Sequence, residues 1–230
     1  MRLGYENYTD KNSDGYKKQK TLEYARKCLR VRPAGDYPQL KCLYDFIKSS
    51  NEWIAGGCFK NLFLGQRPKD LDMFFATNEA RQTRIAELAL NEYKKAFQSD
   101  KSTKMKNDSY SIDIVKSDYL SLEEVLSQFD FTVTKFGMRL NDDGEYEVVF
   151  HEDFFQDLIA KKLVCDNDIL WPLSTFDRML RYCRYGYAPC KETKKRLVRA
   201  MYDHLKEHDS DVEDTISKEI SLGMYNGGVD

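Results

Sequence analysis

Hydrophobic positions along this chain change their period several times, and each change predicts an element. Residues 1–20 are polar and carry no apolar period, which predicts a loose arm. Thr21 to Arg30 has helical character and is stopped by Pro33-Ala34-Gly35. Leu40, Leu43, Tyr44 and Ile47 then recur at helical spacing, and Ser49-Ser50-Asn51 ends that run. Trp53-Ile54-Ala55 reads as a short strand. Gly57 to Leu64 reads as a short helix closed by Gly65, with Gln66-Arg67-Pro68-Lys69 as a loop. Leu71 to Phe75 is a second apolar strand. Asn78 reads as the N-cap of a long helix to about Phe97, with Ile85, Leu88, Ala89 and Tyr93 on one face.

Further on, Ser99 to Asn107 reads as a polar connection, and Tyr110 to Val115 as a strand. Ser121 with Glu124 has the pattern of a capping box, which predicts a short helix to Ser127. Phe129 to Leu140 is extended in pattern. Asn141-Asp142-Asp143-Gly144 is a hairpin turn, and Tyr146 to Phe150 is the returning strand. From His151 onward the period is helical, with Trp171-Pro172 as a loop between helices. Ser174 to Tyr187 and Cys190 to Glu207 are the next helices, and the final acidic and Gly-rich residues read as frayed. Strands thus give way to helices, which predicts an α/β region over 21–150 and a helical subdomain over 151–230.

The chain of 230 residues is long enough for a substantial core. Its formal net charge of −2 gives no bulk electrostatic argument for nucleic acid. There is no long apolar run and no apolar leader, so the expectation is a cytoplasmic protein without a membrane partner. The six cysteines form no CxxC pair and no zinc-spaced cluster, which predicts reduced, mostly buried thiols.

The chemistry concentrates between Trp53 and Phe75. Asp70 and Asp72 lie at i and i+2 on a strand, and therefore on one face. Like charges held that close favour a divalent cation between them. Gly56-Gly57 opens a helix nearby, where backbone N–H groups can meet a phosphate. Together these residues describe a site for a metal–nucleotide complex. Asp113 is a third carboxylate, placed mid-strand between Ile112 and Ile114, where an unpaired charge is costly. The ordinary alternatives are an exposed acidic strand end for Asp70 and Asp72, and a buried ion pair for Asp113.

GGCFKNLFLGQRPKDLDMFF, residues 56–75, resembles the signature of the polymerase-beta nucleotidyltransferase superfamily. More narrowly it resembles the class II head domain shared by bacterial poly(A) polymerases and CCA-adding enzymes, whose pattern is G-G-x-V-R-D-x-L-L-G followed by D-x-D. The likeness continues in order through Asp130-Phe131-Thr132-Val133, the hairpin around Gly144, Asp157-Leu158 with Lys161 and Leu163, and Arg178, Arg181 and Arg184. It covers roughly 38 to 187.

This resemblance implies a nucleotidyltransferase fold, with a small mixed sheet flanked by helices and a helical, neck-like subdomain after it. It implies Mg²⁺ (or Mn²⁺) at Asp70, Asp72 and Asp113, and an NTP, ATP or CTP favoured, as substrate. Gly56, Gly57, Lys60, Asp130, Arg178, Arg181 and Arg184 would contact the nucleotide. Lys60 and Asn61 stand where the family has Arg and Asp, which removes a bidentate phosphate clamp but keeps a point charge. Gln128 and Phe129 replace the arginines that precede the family's counterpart of Asp130.

The resemblance implies transfer of NMP to an acceptor hydroxyl, with an RNA 3′ end as the leading acceptor. Lys191, Lys194, Lys195, Arg196 and Arg199 add a local basic run that suits RNA phosphates, although such runs are usually just solvated helix faces. The family's E-D-x-x-R base-selecting motif has no convincing copy, so a protein hydroxyl or a small molecule stays open as acceptor. Compact head-only proteins of this kind resemble ones carried by bacteriophages. The competing class is a catalytically silent module of the same fold that binds a nucleotide, RNA or a host protein.

Overall fold

The computed structural model describes residues 14–68 and 70–207. The described residues fall into two compact units. Those up to Phe129, with Thr134–Glu152, form the first; Asp130–Val133, with those from Asp153 on, form the second.

The first unit is built on a mixed eight-stranded sheet. Its strands are β1 (Leu29–Pro33), β2 (Glu52–Ala55), β3 (Asp70–Phe75), β4 (Lys94–Gln98), β5 (Ser102–Lys106), β6 (Ser111–Asp118), β7 (Phe136–Leu140) and β8 (Tyr146–His151). They lie in the order β1-β8-β7-β2-β3-β6-β5-β4. Only β3 and β6 run parallel; the other neighbours are antiparallel. The helices are α1 (Asp14–Cys28), α2 (Gly57–Phe63), α3 (Asn78–Leu90) and α4 (Leu122–Ser127).

Residues in register across a sheet share a face. One face carries Val148, Met138, Ile54, Met73 and Ile114 in a single row, all fully buried. On the other face α4 lays Leu122, Val125 and Leu126 against Leu29, Trp53, Ala55, Phe74 and Val149. Gly137 allows this approach, because a Cβ there would stand 2.6 Å from Leu122 Cδ1. Arg139 of β7 fixes the helix by pairing with Glu123 of α4 (2.9 Å) and Glu147 of β8 (3.1 Å).

The second unit contains α5 (Phe154–Ile159), β9 (Lys162–Leu163), α6 (Pro172–Arg184), β10 (Ala188–Pro189) and α7 (Lys191–Glu207), with β9 and β10 paired in parallel. The α/β class is the one expected from the sequence, with more strands than expected. No helix among the described residues is long and apolar enough to cross a membrane.

Several elements differ from the sequence reading. The arm expected over residues 1–20 is helical from Asp14, and its earlier part lies outside the described residues, as does the tail expected to fray. The first helix ends at Cys28, and Leu29–Pro33 becomes an edge strand. The run around Leu40 and Leu43 forms 3₁₀ turns over Pro38–Phe46 rather than an α-helix, and its i, i+3 apolar spacing suits three residues per turn. The α3 N-cap is Thr77, whose hydroxyl accepts from Ala80 N–H (3.2 Å). This helix stops at Leu90, not near Phe97: Glu92 adopts φ 65° and Tyr93 N–H returns to Leu88 O at 3.0 Å, a Schellman-type stop. The polar connection after it is the β4–β5 hairpin. Thr132–Thr134 forms a 3₁₀ turn inside the stretch expected to be extended. Pro172 sits in the first turn of α6, not in a loop. None of the six cysteines forms a disulfide; only Cys58 and Cys165 are buried, and Cys42 and Cys183 are exposed.

Candidate functional site

A second row crosses the sheet on the α4 face: Val149, Gly137, Ala55, Asp72, Asp113 and Lys104, each opposite the next. Its first half is apolar and covered by α4. Its second half consists of charged side chains, all partly exposed. Asp70, two residues before Asp72, shares this face and lies opposite Ser111. The structure therefore places on one face of the sheet the three carboxylates expected to bind metal.

Lys104 is the group that sequence reasoning missed. Its Nζ bridges Asp113 Oδ2 at 3.2 Å and Asp70 Oδ1 at 3.5 Å. The signal was the alternation Thr103-Lys104-Met105, whose outer members are buried on the opposite face. Burial raises the Asp113 pKa, and the Lys104 charge pulls it back without cancelling the effect. For Lys104 burial pulls downward, yet the Asp113 and Asp70 charges outweigh it and leave the ammonium held on more firmly than usual. The carboxylate oxygens are hard, anionic donors of the class that divalent cations bind, and an ammonium sits between two of them.

The glycine pair adjoins this row. β2 ends at Ala55, opposite Asp72, and Gly56 N–H bonds Phe136 O at 2.9 Å. Gly56 then takes φ 104° and ψ −149°, and α2 begins at Gly57. A Cβ at Gly56 would stand 3.3 Å from Asp72 Oδ2 and 3.5 Å from Phe129 Cζ. The turn is thus packed directly on the carboxylate. The open first turn of α2 leaves N–H groups without helical acceptors. Gln66 N–H to Asn61 O (2.8 Å) and Gly65 N–H to Leu62 O (3.1 Å) close α2, as expected from Gly65. On α2, Lys60 donates to Asn61 Oδ1 at 2.6 Å, and burial lowers its pKa. Cys58 is buried beneath the turn; burial first and the Asp72 charge second push its thiol well up.

The remaining expected nucleotide contacts lie in the second unit. Asp130 is buried and accepts from Thr175 Oγ1 at 2.9 Å, while Arg178 Nη1 pairs with its other oxygen at 2.7 Å. These two residues therefore engage each other. Arg181 is half-buried and Arg184 exposed further along α6. Tyr182 is core, with ring centroids 5.9 Å from Phe131 and 5.5 Å from Tyr187. Lys191, Lys194, Lys195, Arg196 and Arg199 are exposed along α7. Three of them border a cleft of about 670 Å³, whose rim also carries Asp168, Glu192 and Asp203.

Known structures share this fold. A CCA-adding enzyme in complex with ATP superposes with a TM-score of 0.54 at 20% identity, over 82% of this chain and 50% of that one. The Thermotoga maritima CCA-adding enzyme complexed with tRNA gives 0.52 at 20% identity, over 77% and 47%. A tRNA nucleotidyltransferase with a primer tRNA and an ATP analogue gives 0.51 at 21% identity, over 75% and 52%. The chain thus spans about half the length of these enzymes. Curated protein sequences contain no match. One sequence family does match, over residues 18–161: the chain belongs to Gad2, the Gabija anti-defense 2 family.

Proposed function

We propose that the protein is a nucleotidyltransferase that moves NMP from an NTP to an acceptor hydroxyl. The observation that carries this reading is the same-face set of Asp70, Asp72 and Asp113 beside the Gly56-Gly57 turn. In the reaction the acceptor oxygen forms a bond to the α-phosphorus, the bond to the β-phosphate bridging oxygen breaks, and pyrophosphate leaves. Asp70 and Asp72 would hold a divalent cation, with Asp113 as a further ligand or as the base that takes the hydroxyl proton. When bound, the cation supplies charge neutralisation at the α-phosphate and aligns the in-line displacement.

The protein's own groups do the rest. Burial keeps Asp113 protonated to a higher pH than an ordinary aspartate, which suits a group that accepts a proton. The Gly56-Gly57 turn and the open first turn of α2 offer N–H donors to the triphosphate. Lys60 offers a point charge to it. Asp130, Arg178, Arg181 and Arg184 remain the proposed nucleotide contacts of the second unit, with Asp130 and Arg178 acting as a preformed pair.

The exposed basic residues of α7 support an RNA 3′ end as acceptor. A second reading draws on the family name: an anti-defense protein can act by nucleotidylating, or by binding, a component of the Gabija defence it opposes. The test is incubation with each α-³²P-labelled NTP, Mg²⁺ or Mn²⁺, and either total RNA or lysate of cells carrying that defence. Label sensitive to RNase supports the first acceptor, and label sensitive to protease supports the second. No label with any of the four NTPs, from protein shown to be folded, refutes transfer.

A further inference from the structure

The proposed transfer leaves the Lys104 ammonium without a task, although it sits among the three carboxylates. Register puts it there. Lys104 lies opposite Asp113, its neighbours Thr103 and Met105 are buried on the other face, and its Nζ lies within 3.5 Å of both Asp113 and Asp70. Lys104 and Asp113 are 23% and 22% exposed, so their contact is partly shielded from bulk water, whereas Asp70 is 43% exposed. Both contacts of Lys104 are with carboxylates, so its role is that of a charge.

Lys104 already neutralises part of the negative charge that Asp70 and Asp113 present. A bare cation entering between Asp70 and Asp113 meets the ammonium where its own ligands should be. A nucleotide triphosphate changes that balance, because its phosphates offer the displaced ammonium a new partner within reach of a four-carbon stem.

The geometry points to Lys104 as a resident counter-ion that weakens the hold on a bare divalent cation and pairs with the polyphosphate of an incoming metal–nucleotide complex. This inference rests on the nucleotidyl-transfer reading and deepens it. Metal and nucleotide then bind cooperatively, each removing part of the cost of the other. An ordinary structural ion pair makes no such prediction, because its loss loosens the site toward every ligand.

The experiment is titration of the full chain with Mn²⁺, reading free Mn²⁺ by electron paramagnetic resonance, alone and with a non-hydrolysable ATP analogue. Lys104→Met is expected to bind bare Mn²⁺ about tenfold tighter, about 1.4 kcal/mol. It is expected to bind the Mn²⁺–analogue complex about tenfold more weakly. Lys104→Arg keeps the charge and is expected to behave like the unaltered chain, and circular dichroism confirms folding of each variant. Where the unaltered chain binds Mn²⁺ and Asp72→Asn abolishes that binding, failure of either half for Lys104→Met overturns the counter-ion role and leaves nucleotidyl transfer standing. Where no folded variant binds Mn²⁺ through Asp72, the metal site fails and the inference with it.

Discussion

Gly56→Ala tests whether the site geometry depends on the turn beside it. Two costs can be worked from the structure. The backbone at φ 104° and ψ −149° lies at the edge of a region that is essentially restricted to glycine, where a side chain costs about 1–3 kcal/mol. The added methyl then meets Asp72 Oδ2 at 3.3 Å and Phe129 Cζ at 3.5 Å. Phe129 packs in the α4 core and cannot yield freely, so the carboxylate must shift by a few tenths of an ångström and lose water from one side. The sum is about 3 kcal/mol.

Gly65→Ala is the matched control. Gly65 also has a positive φ, 69°, but nothing lies within 4 Å of its Cβ position. Backbone strain alone is left, about 1 kcal/mol. Urea denaturation followed by tryptophan fluorescence suits the comparison, because Trp53 is 4% exposed and three residues from Gly56, whereas Trp171 is already 58% exposed. With a urea slope of about 2 kcal/mol/M, Gly56→Ala should lower the midpoint by about 1.5 M and Gly65→Ala by about 0.5 M. Equal shifts for the two variants refute the claim that Gly56 is packed on Asp72. The same Gly56→Ala protein should also lose Mn²⁺ affinity, which Gly65→Ala should keep.

Other outcomes follow from the same geometry. Asp70→Asn with Asp72→Asn should abolish nucleotide labelling and Mn²⁺ binding; persistence of either in the double variant argues that these carboxylates hold no metal. Arg84→Ala should destabilise the first unit by about 3 kcal/mol, because it leaves the Glu52 carboxylate, 3% exposed, without the cation whose Nε meets it at 2.9 Å and with the Lys48 and Ser49 backbone N–H groups as its remaining donors among the described residues. Glu52→Leu with Arg84→Met should recover most of that loss in urea melts, and additive losses exclude a coupled pair. Native alkylation read by mass spectrometry should modify Cys42 and Cys183 and spare Cys58 and Cys165. Cys58 is doubly protected, by burial and by a thiol that burial and the Asp72 charge push well above its usual pKa.

What the sequence disclosed and what it hid divide along physical lines. Asp70, Asp72 and Asp113 were legible because strand periodicity alone fixes which side a residue faces, and charges inside apolar strands stand out. The turn at Gly56 was legible because paired glycines before a helix mark a sharp strand-to-helix turn, and Gly56 takes the positive φ that such a turn needs. Lys104 was not, because β5 reads Ser-Thr-Lys-Met-Lys, with one large apolar residue, and its strand character comes from pairing with β6 rather than from its own composition. The stop at Glu92 was hidden for a related reason: a glutamate in the left-handed region leaves no mark comparable to glycine or proline. Helical spacing placed Arg178, Arg181 and Arg184 along one helix but could not say that Asp130 opposes the first of them.

The two faces of the sheet explain why a charged cluster is tolerated at its centre. On one face Val148, Met138, Ile54, Met73 and Ile114 are fully buried across five adjacent strands, so register is enforced there independently of the site. On the other face the apolar cover of α4 reaches Ala55, and the carboxylates begin at the next strand, where they are partly exposed and Lys104 offsets part of the burial cost of Asp113. Asp113 is less exposed than Asp70, and Lys104 approaches it more closely. The strands are therefore aligned by residues that take no part in the proposed chemistry. Carboxylate-to-amide changes at Asp70 and Asp72 should leave the unfolding free energy from urea melts within about 0.5 kcal/mol of the parent, the range of substitutions outside a packed core. A larger loss would mean that these carboxylates hold the sheet together, and lost labelling in their variants would then report folding instead of metal binding.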